Sequence, residues 1–384
     1  METSNKTKLP MQTEQGRAWA EIDLSALTHN AKMLRSHMPM SCEIMAVVKA
    51  DAYGHGAVRV AQQLESSGIG SFAVATVTEG AELREYGLAG DILVMNYTHP
   101  KYAAYLSEYK LKQLIIDGEY AKALNDAGHE VSVHISIDTG MHREGIDMLK
   151  LSEIEGVFNL KNLTVEGMAT HFASSDSLDP GDIAFTNMQM ERFYATVDTL
   201  TNRGYDVGKL HTQATYGLMN HKDLRSDYAR VGIALYGIMS HDEGTARQLD
   251  LRPVLALKAI IAQVRWIGAG ETVSYGRSFT AKSPLKLATV CIGYADGVPR
   301  SMSGNTGACI VSGHRVPILG RICMDLLMID VTEVESAAAG AVATLIGIDG
   351  SEKIRCEDFA RASGTITNEV LSRLGSRLPR VYLN

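Results

Sequence analysis

The sequence predicts an α/β barrel of the TIM-like (β/α)8 type over residues 17–252, followed by a C-terminal, mostly β domain over residues 253–384. Up to about residue 252, short β-branched runs alternate with stretches of helical spacing. That repetition demands a parallel sheet, because parallel neighbours need a crossover between them. Beyond residue 253, apolar runs are joined by Gly-rich turns with few helical stretches between. The length of 384 residues suits two cores, since one core rarely grows past roughly 250–300 residues.

In chain order, the expected barrel strands are Ile44–Lys49, Phe72–Val77, Asp91–Asn96, Gln113–Ile116, Val131–Asp138, Leu163–Thr170, Lys209–Gln213 and Arg230–Tyr236. The expected helices are Leu24–His37, Ala57–Glu65, Thr78–Glu85, Lys101–Tyr109, Glu119–Asn125, Leu149–Val157 and Asp182–Asn202, with a short piece at Tyr216–Asn220. Eight such strands fit a closed barrel; a doubly wound open sheet is the alternative. In the β domain, Leu255–Trp266, Leu285–Ile292, Ala308–Val311, Leu326–Val331 and Ala343–Ile348 read as strands, and Glu357–Leu374 as helical.

Hydrophobic residues at 45% and charged residues at 21% are ordinary for a soluble domain. A net charge of −7 without any Lys/Arg run gives no nucleic-acid or membrane surface. Five cysteines without a Cys-x-x-Cys pair argue against a disulfide framework or zinc site, so no metal and a reducing, cytoplasmic setting are expected. The apolar run Ala337–Ile348 is too short for a bilayer, which takes about 20 residues. The polar stretch Met1–Gly16 reads as a flexible arm or linker remnant rather than a signal peptide. The chain is therefore expected to be cytoplasmic, by itself or as the cytoplasmic part of a protein with a membrane segment upstream.

Barrel chemistry collects at the C-terminal ends of strands. Lys49, Asp138, His171 and Gly237 are expected at such ends. Lys49 follows the apolar run Ile44–Val48, where desolvation disfavours the ammonium and suits Schiff-base chemistry. Taken alone, a lysine at a strand end is more often a surface residue. The segment Asp51-Ala-Tyr-Gly-His-Gly56 shifts that balance by placing a phenol, an imidazole and two glycines beside it.

Ala46-Val-Val-Lys-Ala-Asp-Ala-Tyr-Gly-His-Gly56 resembles the cofactor-lysine motif of alanine racemases. Six further blocks resemble that family in the same order: Ile137–Gly145, Gly167–His171, Arg230–Gly237, Val273–Arg277, Ile292–Gly297 and Gly320–Asp325. Together they span the chain from about Ala18 to Tyr382. The resemblance implies a barrel that binds pyridoxal 5'-phosphate (PLP), a β domain, and a homodimer with active sites at the interface. It implies that Lys49 carries the cofactor and acts as one base, while Tyr275 of the other subunit is the opposite base. Two bases on opposite faces of a Cα are what racemisation requires.

By the same resemblance, His171 partners Tyr275 and Arg230 faces the pyridine nitrogen, leaving it largely unprotonated and limiting transamination. Tyr53, Thr215 and the N–H groups of Gly232 and Ile233 would hold the phosphate. Arg143 and the backbone of Met324 would hold the substrate carboxylate, for which a guanidinium fork is well shaped. Asp176, Arg300 and Arg321 match positions lining an entry channel, with surface ion pairing as the alternative. Cys323 reads as a packing residue rather than a nucleophile.

Two positions depart from the family pattern. Where many members carry a modified lysine that steadies the arginine, this chain has Ser136, so Arg143 must be positioned by other means. Where a tyrosine usually narrows the substrate entrance, this chain has Asn368. A carboxamide there adds a donor, an acceptor and space, which suits a hydroxymethyl side chain. That points to serine beside alanine as substrate and resembles the membrane-bound serine racemases of vancomycin-resistant bacteria, with D-amino acid for peptidoglycan as product. A housekeeping alanine racemase is the alternative. A PLP decarboxylase of the same barrel type is disfavoured by Arg230 and Tyr275, and a non-enzymatic PLP carrier by the β domain.

Overall fold

Strands buried on both faces are near-continuous apolar runs, and Ile44–Val47, Phe72–Val74 and Ile92–Val94 are of that kind, each residue buried. In the computed structural model, which describes residues 16–221, 225–240, 245–246 and 248–384, they belong to eight parallel strands. These are Glu43–Val47, Ser71–Val74, Asp91–Val94, Lys112–Ile115, Val131–Asp138, Leu163–Ala169, Lys209–His211 and Tyr228–Val231. The first seven pair in sequence order, and the eighth pairs in register with the first, Arg230 opposite Met45. A parallel bridge between Ala214 and Arg230 closes the ring, backed by Arg230 N–H donating to Gln213 O at 2.9 Å. The sheet is a barrel, and the open-sheet alternative is set aside. Met45, Val47, Ala73, Leu93, Leu114, Ala169 and Tyr228 pack together in one core cluster.

Several elements are shorter than their sequence pattern. The run Phe72–Val77 stops at Val74, because Thr76 caps the helix Val77–Glu85: its Oγ1 accepts from Glu79 N–H at 3.3 Å, and the Glu79 carboxylate accepts from Thr76 N–H. This reciprocal cap satisfies two otherwise orphaned donors. The run Arg230–Tyr236 is a strand only to Val231; Ile233–Tyr236 is a 3-10 turn. Gly237, expected at a strand end, instead ends that turn with φ +76°.

Among the described residues, the second unit comprises residues 16–26, 238–240 and Pro253–Asn384. Residues 17–26 and 238–240 therefore stand with the β unit and not with the barrel expected over 17–252. Ala18–Asp23 is a strand, antiparallel to Leu255–Ile267 and parallel to Arg380–Leu383. Leu255–Ile267 also pairs with both Leu285–Val290 and Val342–Asp349, which closes a six-stranded antiparallel ring through Leu327–Asp330, His314–Leu319 and Ala308–Val311. Register shifts at Leu257/Lys258 and Ile261/Gln263 bend this long strand so that it serves both neighbours.

The strand His314–Leu319 is not among the expected strands, and it carries Pro317, a residue confined in sheets to edges, strand starts and bulges. Its pairing to Leu327–Asp330 begins only at Ile318, past the proline. The expected helix Glu357–Leu374 is two helices, Cys356–Ser363 and Thr367–Ser372, broken at Gly364 with φ +75°. Of the expected arm Met1–Gly16, residues 1–15 lie outside the described residues. Among the described residues, no helix is long and apolar enough to cross a membrane.

The block Ile292–Gly297 has a structural role. The side chain of Asp296 is fully buried and pairs with Arg17 at 2.5 Å and Arg377 at 2.7 Å, while accepting from Gly293 N–H at 2.9 Å. These partners hold its carboxyl below the usual carboxylate range, against the burial that raises it. Asp296→Asn takes the buried carboxylate from Arg17 and Arg377, of which Arg377 keeps Asp325 at 2.7 Å. We expect a loss of roughly 2–3 kcal/mol in urea unfolding, the cost of breaking a buried pair reduced for the partial exposure of both arginines. A variant within 0.5 kcal/mol of wild type contradicts this role.

Candidate active site

One residue, Val48, separates Lys49 from the first barrel strand, and the chain then turns left-handed. Ala50, Asp51, Ala52 and Tyr53 all have φ between +52° and +54°. Left-handed helix costs L-residues roughly 1–2 kcal/mol each, so the turn persists only because its surroundings hold it. Ala52 N–H donates to Val48 O at 2.9 Å, Ala50 N–H to Glu79 Oε1 at 2.8 Å, and Ala57 N–H to Asp51 Oδ1 at 2.8 Å. Such strain gathers at functional sites. The turn leaves the Lys49 ammonium half-buried. Burial, then the charge of Arg143, lowers its pKa, with Arg230 adding to the shift and Glu79 and Glu144 opposing it. This is the desolvated lysine expected at Lys49.

Arg230 is buried in the barrel. Its Nη1 donates to His211 Nδ1 at 2.6 Å and His211 O at 2.7 Å; its Nη2 donates to Thr170 O at 2.7 Å and lies 3.2 Å from His171 Nδ1. Burial and the charge of Arg143 lower its pKa to about 10, so it stays cationic at neutral pH. Burial, Arg230, Arg143 and Lys49 together push His171 down to about 3.

The tautomers follow from donors and acceptors. Because Arg230 only donates, His211 Nδ1 accepts, and His211 Nε2–H donates to His134 Nδ1, 2.7 Å away. His134 Nε2 then carries the hydrogen and, among the described residues, has no partner in its buried position. Sequence reading missed both residues. The signal was Gly167, where a Cβ would come within 2.7 Å of the His134 ring and 2.5 Å of Lys209 O.

A second close approach lies at Gly232, where a Cβ would sit 2.7 Å from the Tyr53 hydroxyl. Gly232 N–H points at Thr215 Oγ1 at 3.4 Å. Two hydroxyls, Gly232 N–H and the start of the Ile233–Tyr236 turn thus converge where no side chain intrudes, which suits an anion. The Tyr53 ring packs on Tyr236 at 5.2 Å between centroids, and the Tyr236 hydroxyl donates to Val47 O at 2.9 Å. Burial raises Tyr53 to about 12, so it remains a phenol and can donate.

Arg143 lies in the loop after the strand Val131–Asp138. Asp138 organises that loop by accepting from Gly140 N–H and His142 N–H, both at 3.0 Å, and by pairing with the His142 ring at 2.8 Å. Ser136, Asp138, Arg143, Glu144, Thr170 and His171 line one small cavity. Asp176 lies in the loop that follows His171, between Ala169 and the helix Pro180–Asn202.

The remaining expected residues belong to the second unit. Tyr275 is 68% exposed and Met324 53% exposed. Tyr275 stands between Ser274, φ +70°, and Gly276, φ +67°. Ser274 Oγ donates to Arg321 O at 2.6 Å, and a Cβ on Gly276 would lie 3.1 Å from Arg321 Nη1. Tyr275 and Arg321 are therefore neighbours. Met324 O accepts from Ala295 N–H at 3.0 Å. Asn368 Oδ1 accepts from Ser240 Oγ at 2.6 Å, which orients the carboxamide. Arg300 opens a 3-10 turn on the surface.

Within the barrel unit the structure thus gathers Lys49, Tyr53, His171, Thr215, Arg230 and Gly232 around the strand ends, with Arg143 near by; within the β unit it joins Tyr275 and Arg321. A TIM-like barrel with a desolvated lysine and an anion cradle, followed in the chain by a β barrel, defines a class of two-barrel proteins. Comparison with known proteins places the chain within that class. Residues 22–240 match the alanine racemase N-terminal domain and residues 254–382 the alanine racemase C-terminal domain. The chain belongs to the alanine racemase family.

An amino-acid racemase of Enterococcus faecalis is 42% identical over 94% of this chain and 51% of its own length. A second from that organism is 39% identical, over 52% of its length, so this chain spans about half of these two relatives. The alanine racemase of Geobacter sp. (strain M21) is 37% identical over 94% of this chain and 98% of its own. Among solved structures, alanine racemase from Clostridium difficile 630 superposes with a TM-score of 0.90 at 33% identity, covering 97% of both chains.

Burial lowers His134 to about 4 and His211 well below 6.5, whereas unfolded histidine titrates near 6.5. Below 6.5 the unfolded chain binds protons that the folded chain refuses, so stability falls with falling pH. We expect Tm to drop steadily between pH 6.5 and 4. The drop should be shallower in His134→Met, measured by circular dichroism; an equal slope in both proteins removes the assignment.

Proposed function

We propose that the chain is a PLP-dependent racemase whose first substrate is alanine. The observation that carries this is the convergence of a desolvated Lys49, a buried Arg230 and the Tyr53–Gly232–Thr215 cradle at one end of one barrel. The residues fit the cofactor. Lys49 would bind its aldehyde, the cradle with Ile233 N–H its phosphate, and Arg230 its ring nitrogen. When bound, the cofactor supplies the electron sink that makes a substrate Cα–H acidic.

The chain's own groups do the rest. Lys49 Nζ, its pKa lowered by burial and by neighbouring cations, moves a proton on one face of Cα. Tyr275 Oη, reaching in from a second copy of the chain, moves it on the other, with His171 as its partner. Arg230 donates only, so it would leave the cofactor's ring nitrogen without an added proton. Arg143 and Met324 N–H would hold the substrate carboxylate; the Met324 carbonyl is already taken by Ala295. Asp176, Arg300 and Arg321 would line the approach. An exposed Tyr275 needs a cover before it can work as a base, and a second copy of this chain is the proposed cover, giving a homodimer. The product D-alanine would serve peptidoglycan precursors.

A finer reading concerns specificity. With its oxygen engaged by Ser240, the Asn368 carboxamide offers its NH2 group, a donor able to meet a substrate hydroxyl. Sites that bond a substrate hydroxyl discriminate strongly. Serine is therefore proposed as a second substrate, although the full-length relatives named above bear alanine in their names.

Borohydride treatment of the PLP-loaded protein should fix the cofactor on Lys49, located by peptide mass mapping, and the holoenzyme should racemise L-alanine. A colourless protein after reconstitution, or label on another lysine, sinks the main reading. Separately, Asn368→Tyr should lower kcat/KM for L-serine at least tenfold relative to L-alanine; an unchanged ratio overturns the serine reading while leaving the alanine reading intact.

A further inference from the structure

Arg143 presents a problem of positioning. A guanidinium that is to hold a carboxylate must keep its fork aimed, yet its side chain is 54% exposed and a free arginine samples many rotamers. Position 136 supplies a buried, neutral hydroxyl. The loop leaves little room above it: Gly145 has φ +114°, its N–H donates to Ile116 O at 2.9 Å, and a Cβ there would lie 3.1 Å from Ser136 Oγ and 2.7 Å from Asp138 N. Gly145 is thus pressed onto the strand end, with Glu144 immediately before it. Asp138 is not available to Arg143, because its two oxygens take Gly140 N–H, His142 N–H and the His142 ring. Among the described residues, the ion pair of Arg143 is to Glu144, Nη2 to Oε1 at 3.5 Å, with the Glu144 side chain 26% exposed.

We propose that Glu144 is the positioning residue for Arg143: a carboxylate of the same loop, anchored by Gly145, that aims the guanidinium at the substrate carboxylate. This rests on the racemase reading for its kinetic consequence, though not for the pairing itself. Glu144 also has an electrostatic duty. Arg143 and Arg230 both press on Lys49, and Glu144 and Glu79 offset them. The same carboxylate opposes the effect of Arg143 on Arg230. One acidic side chain thus tempers the cluster of cations without contacting substrate.

The test compares wild type, Glu144→Gln and Glu144→Asp. The first readout is the rate at which phenylglyoxal modifies Arg143, followed by peptide mass mapping, with Arg59 and Arg203 as internal references. Loss of the paired carboxylate should speed modification of Arg143 at least threefold in Glu144→Gln and leave the reference arginines unchanged. In the holoenzyme, KM for L-alanine should rise about tenfold, with kcat within threefold of wild type, because the lost interaction is one of ground-state binding. Glu144→Asp should recover at least half of both effects. Unchanged Arg143 reactivity in Glu144→Gln, or a fall in kcat at constant KM, overturns the proposal. If wild type racemises no amino acid, the proposed function fails, while the phenylglyoxal comparison still decides the pairing.

Discussion

The barrel is organised around one buried positive charge. Arg230 sits in the strand that closes the ring, and its guanidinium reaches three backbone carbonyls and two histidine rings. A buried cation is tolerated only where such partners replace water. Those partners come from the sixth and seventh strands and the loops after them, so the charge ties together the region where the barrel closes. It also sets the protonation of its surroundings. Beside a fixed cation and away from water, His171 and His211 remain neutral, and the direction of each hydrogen bond back to His134 follows from that one fact.

The Lys49 turn shows a complementary economy. Four left-handed residues in succession are unfavourable by themselves, and they are held by Glu79, a helix-capping residue two elements away. One carboxylate oxygen takes Ala50 N–H; the other takes Ala75 and Thr76 N–H. The cap of a helix is thereby linked to the geometry of the lysine. Glu79 stabilises a local element, fixes a strained turn and offsets cations around Lys49, three roles that a sequence pattern shows only as one capping box.

Much of the architecture was legible in local pattern. The eight barrel strands were all found, one of them, Val131–Asp138, with its full bounds. Ala308–Val311 was found equally well in the β unit. Errors gathered where a long-range partner overrode a local tendency: Ala18–Asp23 pairs with a strand more than 230 residues on, and Pro317 is accommodated because pairing on one side starts after it. Lys49, Tyr53 and Arg230 stood out by motif. His134, His211 and Glu79 did not, because each is a common residue whose role comes from what folding sets beside it.

The sequence by itself determined the alternation of strand and helix, the change to β structure after residue 253, and the identity of the groups able to do the chemistry. These are properties of periodicity and side-chain type, carried by neighbours a few residues apart. Only the tertiary structure decided protonation and aim. Which histidine accepts and how far Lys49 is desolvated depend on dielectric and distance, and those quantities exist only once strands distant in the chain lie side by side.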